Sequence, residues 1–517
     1  MKGEMSPRYR LLSITLACFQ NMTLGGLLFG WASISGGLLI SPTKMGGPGL
    51  SSDYVHMMFV VASFFNFLGP LLLGIVLDLY GPRICSVISI LFILAGCLLF
   101  GLSTPDLPLF IPAMCLIAFG GPGTQNAIIH LSNLYPDWKA TATAFITGSF
   151  QLSFVVFLIF DQLWVCMDWN YSHLFIGYGV VCAVNLVVSL CMWPDQPYSW
   201  QEQTEVAERA YMDTHEQHPS PARPPQKLGP IRLPSVFQHK RKPSVQSYSL
   251  VHGEDSDRYR YTDSADANAV EDVAVEGSVL LHDASLSEQM RSPEFIHLTL
   301  FFLVNSFWAN FYIGTFDMQL GDEQMLTPLQ QRDFARIFTL VITLGVLVIP
   351  PVGLLMDVGG FPLTATLTVF CGVAWSILLL LDSPSDHLLI ASFAAYSLYR
   401  TSFYTFFFAY LADVLGFRYF GMLAGIIFLL GGILGMAQYP LAQYGRGTCH
   451  LEGADESCSH GKWGTVNRWM LVMVAGSFYF GYQDHLRRQR IKQAAGVGAG
   501  ESVELGKRKV GSYGAIA

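Results

Sequence analysis

Polar and apolar positions along this chain do not alternate; they fall into long blocks. Twelve mostly apolar runs stand out, at 11–38, 54–79, 84–104, 108–134, 140–163, 171–193, 295–319, 334–356, 362–381, 386–412, 418–443 and 464–484. A helix needs about 20 apolar residues to cross a hydrocarbon core about 30 Å thick, so each run predicts a membrane-spanning helix. Between the sixth and seventh runs lies 194–293, rich in Pro, Ser, Asp, Glu and Gln. It has too few large apolar residues to fold alone and reads as a disordered linker. The expected organisation is an N-terminus at 1–10, a six-helix bundle at 11–193, the linker at 194–293, a second six-helix bundle at 294–484 and a tail at 485–517. The fold class is therefore an all-α membrane protein with twelve transmembrane helices in two pseudo-symmetric bundles.

The pseudo-symmetry rests on one repeated stretch. Gly74-Ile-Val-Leu-Asp78-Leu-Tyr-Gly81-Pro-Arg83 ends the second run, and Gly353-Leu-Leu-Met-Asp357-Val-Gly-Gly360-Phe-Pro stands 279 residues later, at the end of the eighth. Two like segments at matching places in two halves indicate an internal duplication. Gly74 is expected to let a neighbouring helix approach closely. Asp78 is expected to pair with Arg83 or to cap a facing helix N-terminus. Together with Asp357, these residues are the candidate gate; the plainer reading is a tight turn at Tyr80-Gly81-Pro82.

Composition agrees with the pattern. The chain is 52% hydrophobic and 13% charged, where soluble domains carry about 25% charged residues. The net charge of -8 lies largely in the linker and argues against a nucleic-acid partner. Lys/Arg placement favours both termini and the linker in the cytosol, which puts 23 of the 30 basic residues there. The plasma membrane and a vacuolar or lysosomal membrane both fit. That orientation places Cys449 and Cys458 in an outer loop, where they are the disulfide candidate. Asn170, in Asn170-Tyr-Ser172, becomes the glycosylation candidate. In the linker, Ser244 to Asp266 reads as a phosphorylation stretch or as plain solvated chain.

Six spans, a linker and six more spans, with Gly-x-x-x-Asp-x-x-Gly after spans two and eight, resemble the major facilitator superfamily. A closer resemblance lies in Gly26-Leu-Leu-Phe29-Gly30-Trp31-Ala-Ser33, Gly148-Ser149-Phe150-Gln151-Leu-Ser153 and Trp308-Ala-Asn310-Phe-Tyr312-Ile-Gly314-Thr315. Tyr399-Arg400-Thr401-Ser-Phe403, Phe420-Gly421-Met-Leu-Ala-Gly425 and Gln438-Tyr-Pro440-Leu continue it. In this order the segments resemble the system-L-type amino acid transporters, a small family that also includes an equilibrative nucleobase facilitator. The resemblance implies sodium-independent, facilitated passage of large neutral amino acids. The short first outer loop, 41–53, departs from the animal members.

The residues themselves add chemistry. Arg400 is the one charge near a span centre, where an arginine is costly unless it has a partner or lines a wet cavity. Its planar fork suits a substrate carboxylate; the structural alternative is a pair with carbonyls or with Asp413. Mid-membrane Gln125, Asn126, Ser149, Gln151, Asn305 and Gln438 are candidate substrate contacts or interhelical ties. Phe29 and Trp308 lead the candidates for an apolar wall. Gly120-Gly121-Pro122-Gly123 either breaks span four or lets helices pack. Asp78, Asp161, Asp317, Asp357 and Asp413 all fall at span ends, which favours a uniporter over a coupled carrier. Still open are a nucleobase facilitator, a proton-linked carrier using His130, and a transporter-like nutrient sensor. No catalytic, metal-ligand or cofactor constellation is present in the sequence. The expected partners are a small-molecule substrate and the lipid bilayer, and the expected assembly is a monomer.

Overall fold

The computed structural model describes residues 7–135, 139–196, 281, 284–322, 326–381, 386–416, 419–447 and 461–487. The linker stretch Ser244 to Asp266, the Cys449–Cys458 pair and the Asp357 side chain lie outside the described residues. Every apolar run meets helix, as expected where no water can satisfy a bare backbone. In the first half these are α1 (Pro7–Leu24), α2 (Ala32–Ser35), α3 (Ser52–Leu102), α4 (Phe110–Ile128), α5 (Lys139–Leu152), α6 (Val155–Met167) and α7 (Tyr171–Met192). The second half has α8 (Leu286–Arg291), α9 (Pro293–Asp322), α10 (Pro328–Leu344), α11 (Ile349–Leu378), α12 (Asp386–Leu415), α13 (Phe420–Gly435), α14 (Gln438–Arg446) and α15 (Trp463–Gly476). Seven described helices are long and apolar enough to cross a membrane. Among the described residues the β pairing is confined to one isolated bridge, Thr104 to Leu107.

Two spans are joined without a loop in each half. α3 carries spans two and three and turns at Gly81 (φ 82°, ψ 176°); α11 turns at Gly360 (φ 76°, ψ 171°). Both angles lie where a side chain is strained, so glycine is required there. A proline follows within two residues in each copy, Pro82 and Pro362, and removes a backbone donor the bend would orphan. The duplication read in the sequence is thus a repeated bend. Gly81 and Gly360 mark one face of the molecule, here called the motif face.

The Gly74 and Arg83 expectations are corrected, and of the two readings of the span-four glycines the packing one holds. A Cβ on Gly74 would meet nothing within 4 Å, so Gly74 provides no close helix approach. Arg83 does not pair with Asp78: its guanidinium donates to the Trp193 carbonyl at 2.7 Å and lies 2.8 Å from the Asp195 carboxylate, while Asp78 is exposed. The reason is the bend itself, which brings Gly81 against the Asp195 carbonyl. Span four does not break at Gly120-Gly121-Pro122-Gly123. α4 runs through it, and the glycines let Gly121 sit on the Gly25 carbonyl and Gly120 on that of Ser89.

Candidate substrate site and gates

The break comes in span one instead. α1 ends at Leu24, a 3₁₀ turn covers Leu27–Gly30, and α2 resumes at Ala32. Gly25-Gly26 is a weak helix-forming pair. The Gly26 N–H leaves the helical ladder and donates to Ser153 Oγ at 2.8 Å. A Cβ on Gly30 would lie 2.3 Å from the Phe154 carbonyl, so the irregular segment rests directly on the junction of α5 and α6. Irregular backbone at membrane depth is tolerated where it is buried in protein or lines a cavity.

Phe29, from this segment, meets Arg400 from α12. The Arg400 guanidinium carbon is 4.4 Å from the Phe29 ring centre and 5.2 Å from those of Phe154 and Tyr404. Arg400 is only 5% exposed, and its Nε has no hydrogen-bond partner. Asp413 lies nearly four turns further along α12 and forms no ion pair with it. Aromatic faces offset part of the cost of burying a cation, by about 2 kcal/mol when desolvated. They leave Nε of the fork without a partner, while the guanidinium also bonds the Tyr396 hydroxyl. Arg400 thus sits where the two halves meet, on rings from both.

The other candidates divide. Gln151 spans the halves, its Nε2 donating to Thr401 Oγ1 at 3.1 Å, next to Arg400 in sequence. Gln438 Nε2 donates to the Phe307 carbonyl at 3.0 Å, leaving Oε1 buried and without a partner. Ser149 folds back on the Ile146 carbonyl at 2.6 Å. Gln125 and Asn126 are half-buried on α4, without a side-chain hydrogen bond among the described residues. Asn305 is an interhelical tie: its amide donates to Phe301 O and Ser477 Oγ and accepts from Tyr399 Oη at 2.7 Å. Trp308 packs edge-on against Phe307 and Phe311, about 200° around α9 from Asn310. Asn170 caps α7, accepting from the His173 N–H at 2.8 Å.

Sequence reading named Tyr404 among the aromatics that could form an apolar wall, but passed over Asn310, Phe150 and Phe154 as individual site residues. Asn310 is 1% exposed; its Nδ2 donates to Ser306 O at 2.8 Å and reaches Tyr404 Oη at 3.5 Å. Phe150 and Phe154 pack on Phe29. Apart from the quoted motifs, their one sequence signal is aromatic density, which does not separate them from the core.

Polar contacts between the halves gather on the face away from Gly81 and Gly360. Arg336 Nε donates to Asp161 Oδ2 at 2.6 Å; the carboxylate is fully buried and the arginine 21% exposed. Ser33 Oγ donates to Thr339 Oγ1 at 2.7 Å, and Ser35 Oγ donates to the Asp317 carboxylate. Arg446 lies 3.0 Å from Asp53, which also accepts from Gln443. His56 contacts the Gly314 carbonyl at 2.9 Å. That face is therefore held closed by hydrogen bonds and ion pairs. His130 sits in the 3₁₀ turn Ile129–Leu134 at the motif-face end of span four.

Two helical halves with bent repeats, and a charged group buried between them, define a multi-pass membrane transporter. The chain matches the Major Facilitator Superfamily over residues 12–439 and belongs to it. It is 26% identical to Protein FMP42 of Saccharomyces cerevisiae across 86% of this chain and 90% of that protein. It is 31% identical to the aromatic and large neutral amino acid transporter 5-3 of Toxoplasma gondii over 27% of this chain and 28% of that one. To the human large neutral amino acids transporter small subunit 3 it is 26% identical, over 30% and 29% of the two chains. Among solved structures, a POT family transporter in complex with 5-aminolevulinic acid superposes with a TM-score of 0.59 at 12% identity, covering 94% of this chain and 97% of that one. Family and neighbours are transporters, not enzymes.

Proposed function

We propose that the protein is a sodium-independent uniporter of large neutral amino acids that works by alternating access, with the motif face in the cytosol. The observation that carries this reading is Arg400: an almost fully buried cation on rings from both halves, Phe29 and Phe154 from one and Tyr404 from the other, with no carboxylate paired to it among the described residues. Its partnerless Nε–H and planar fork suit a substrate carboxylate, and the rings around it suit a large apolar side chain. The buried acids lie elsewhere. Asp161 is held by Arg336 and Asp317 by Ser35, both at the closed face, and Asp484 by Arg487 and Tyr410. The partial likeness to named large neutral amino acid transporters points the same way. In this reading Asp78, Arg83 and Asp357 belong to the cytosolic gate, and 194–293 is a cytosolic linker. The test is uptake by Arg400→Ala and Arg400→Lys in vesicles containing the purified protein. Loss of the bidentate fork should raise the leucine KM roughly tenfold or more. Unchanged KM and Vmax in both variants refute the assignment.

A further inference from the structure

The Arg400 site accounts for one end of an amino acid and leaves the ammonium group without a receiver. Around a buried cation the obvious receiver, a carboxylate, is missing among the described residues. What the structure places there is a set of neutral oxygens. Asn310 is 1% exposed, with Nδ2 engaged by the Ser306 carbonyl and by Tyr404 Oη, and with Oδ1 having no partner. Tyr404, which Asn310 touches, is the ring that lies 5.2 Å from the Arg400 guanidinium carbon. A buried acceptor without a donor costs about 1–3 kcal/mol, and this one, linked through Tyr404 to the Arg400 site, is a place for a ligand donor. Gln151 Oε1 is also buried without a partner, but it lies against Gly345 beside Thr401. Gln438 Oε1 lies towards the closed face, where its amide ties α14 to α9.

We infer that Asn310 Oδ1 accepts the substrate's α-ammonium and is the residue that makes the site select amino acids over other carboxylates. Arg400 then binds the group that all small carboxylates share, and Asn310 reads the group that distinguishes an amino acid. A neutral carbonyl in this role, in place of a carboxylate, fits a zwitterion. It leaves no surplus negative charge for a cationic side chain, so lysine-like substrates are disfavoured. The inference rests on the carboxylate reading of Arg400 and goes beyond it by assigning specificity to a second residue on the other helix.

The test compares leucine with α-ketoisocaproate, which has the same side chain and carboxylate but no ammonium, and with isoamylamine, which has the ammonium but no carboxylate. Each competes against radiolabelled leucine in vesicles containing the full-length protein. Asn310→Leu should raise the leucine KM roughly tenfold or more, the loss of a hydrogen bond to a charged group, and leave the inhibition constant of α-ketoisocaproate unchanged. Asn310→Asp keeps the shape and adds charge, so it should strengthen competition by isoamylamine. Equal losses for leucine and α-ketoisocaproate in Asn310→Leu, or no loss for either, overturn the inference, as does unchanged isoamylamine competition in Asn310→Asp. If leucine is carried and these ratios stay flat, this inference alone falls. If the unaltered protein carries no leucine, the reading beneath it falls as well.

Discussion

Removing Arg336 should pull the closed face open. Asp161, its partner, has a side chain with no exposure to solvent, and Asp161 Oδ1 makes no other hydrogen bond. Breaking a buried ion pair by deleting one member costs about 3–5 kcal/mol because a charge is left buried and unpaired. The lower end applies here, since Arg336 keeps a fifth of its side chain in solvent and Arg332 lies close by, over Trp164. In the alternate state, with that face open, Asp161 is hydrated and loses little. About 3 kcal/mol against one state shifts the balance between states roughly a hundredfold. The assay is a distance distribution between spin labels at Lys44→Cys and Leu329→Cys, two exposed positions on that face, with the exposed Cys166 and Cys191 changed to serine. Arg336→Gln should move the distribution to longer distances. Arg336→Gln with Asp161→Asn should move it back, because no unpaired charge is then buried. A distribution that Arg336→Gln leaves unchanged refutes the reasoning.

Gly81→Ala should lower thermal stability and expression: its Cβ would lie 1.8 Å from the Asp195 carbonyl at a φ of 82°, a strain of about 2 kcal/mol or more that a melting curve will report. Asn305→Leu should lose about 1 kcal/mol or more of stability by removing the ties to Ser477 and to the Tyr399 hydroxyl, which keeps only its longer bond to the Asn305 carbonyl, while the leucine KM holds; a KM rise without a stability loss would return Asn305 to the substrate. Asp78→Asn should slow exchange, read as Vmax, and leave KM in place; a large KM rise at constant Vmax contradicts the gate role.

Much of the architecture was readable because lipid makes the pattern strict: an apolar run of spanning length has almost no alternative to helix. The repeat was readable because a left-handed bend accepts little but glycine, and Gly81 and Gly360 stand in register. Arg400 was conspicuous because charge is rare at that depth. What the sequence hid was tertiary. The Arg336–Asp161 pair joins residues 175 apart, and no local pattern couples them. Arg83 was assigned to Asp78 by proximity in sequence, yet the bend delivers it to Trp193 and Asp195. The glycine pair that breaks span one looks no different from the glycines that pass helically through span four; the difference is that Ser153 stands ready to receive the Gly26 N–H. Asn305 and Asn310 are one turn and a half apart on α9 and alike in composition. Only their neighbours show that one is saturated and the other keeps an open oxygen.

The measurement that bears most directly on the central claim is leucine flux into vesicles with and without an imposed proton or sodium gradient, for the unaltered protein and Arg400→Lys. The account predicts that leucine equilibrates to the same final level in every gradient, and that Arg400→Lys reaches it with a higher KM. Accumulation of leucine driven by either gradient, or Arg400→Lys transport at an unchanged KM, would contradict it.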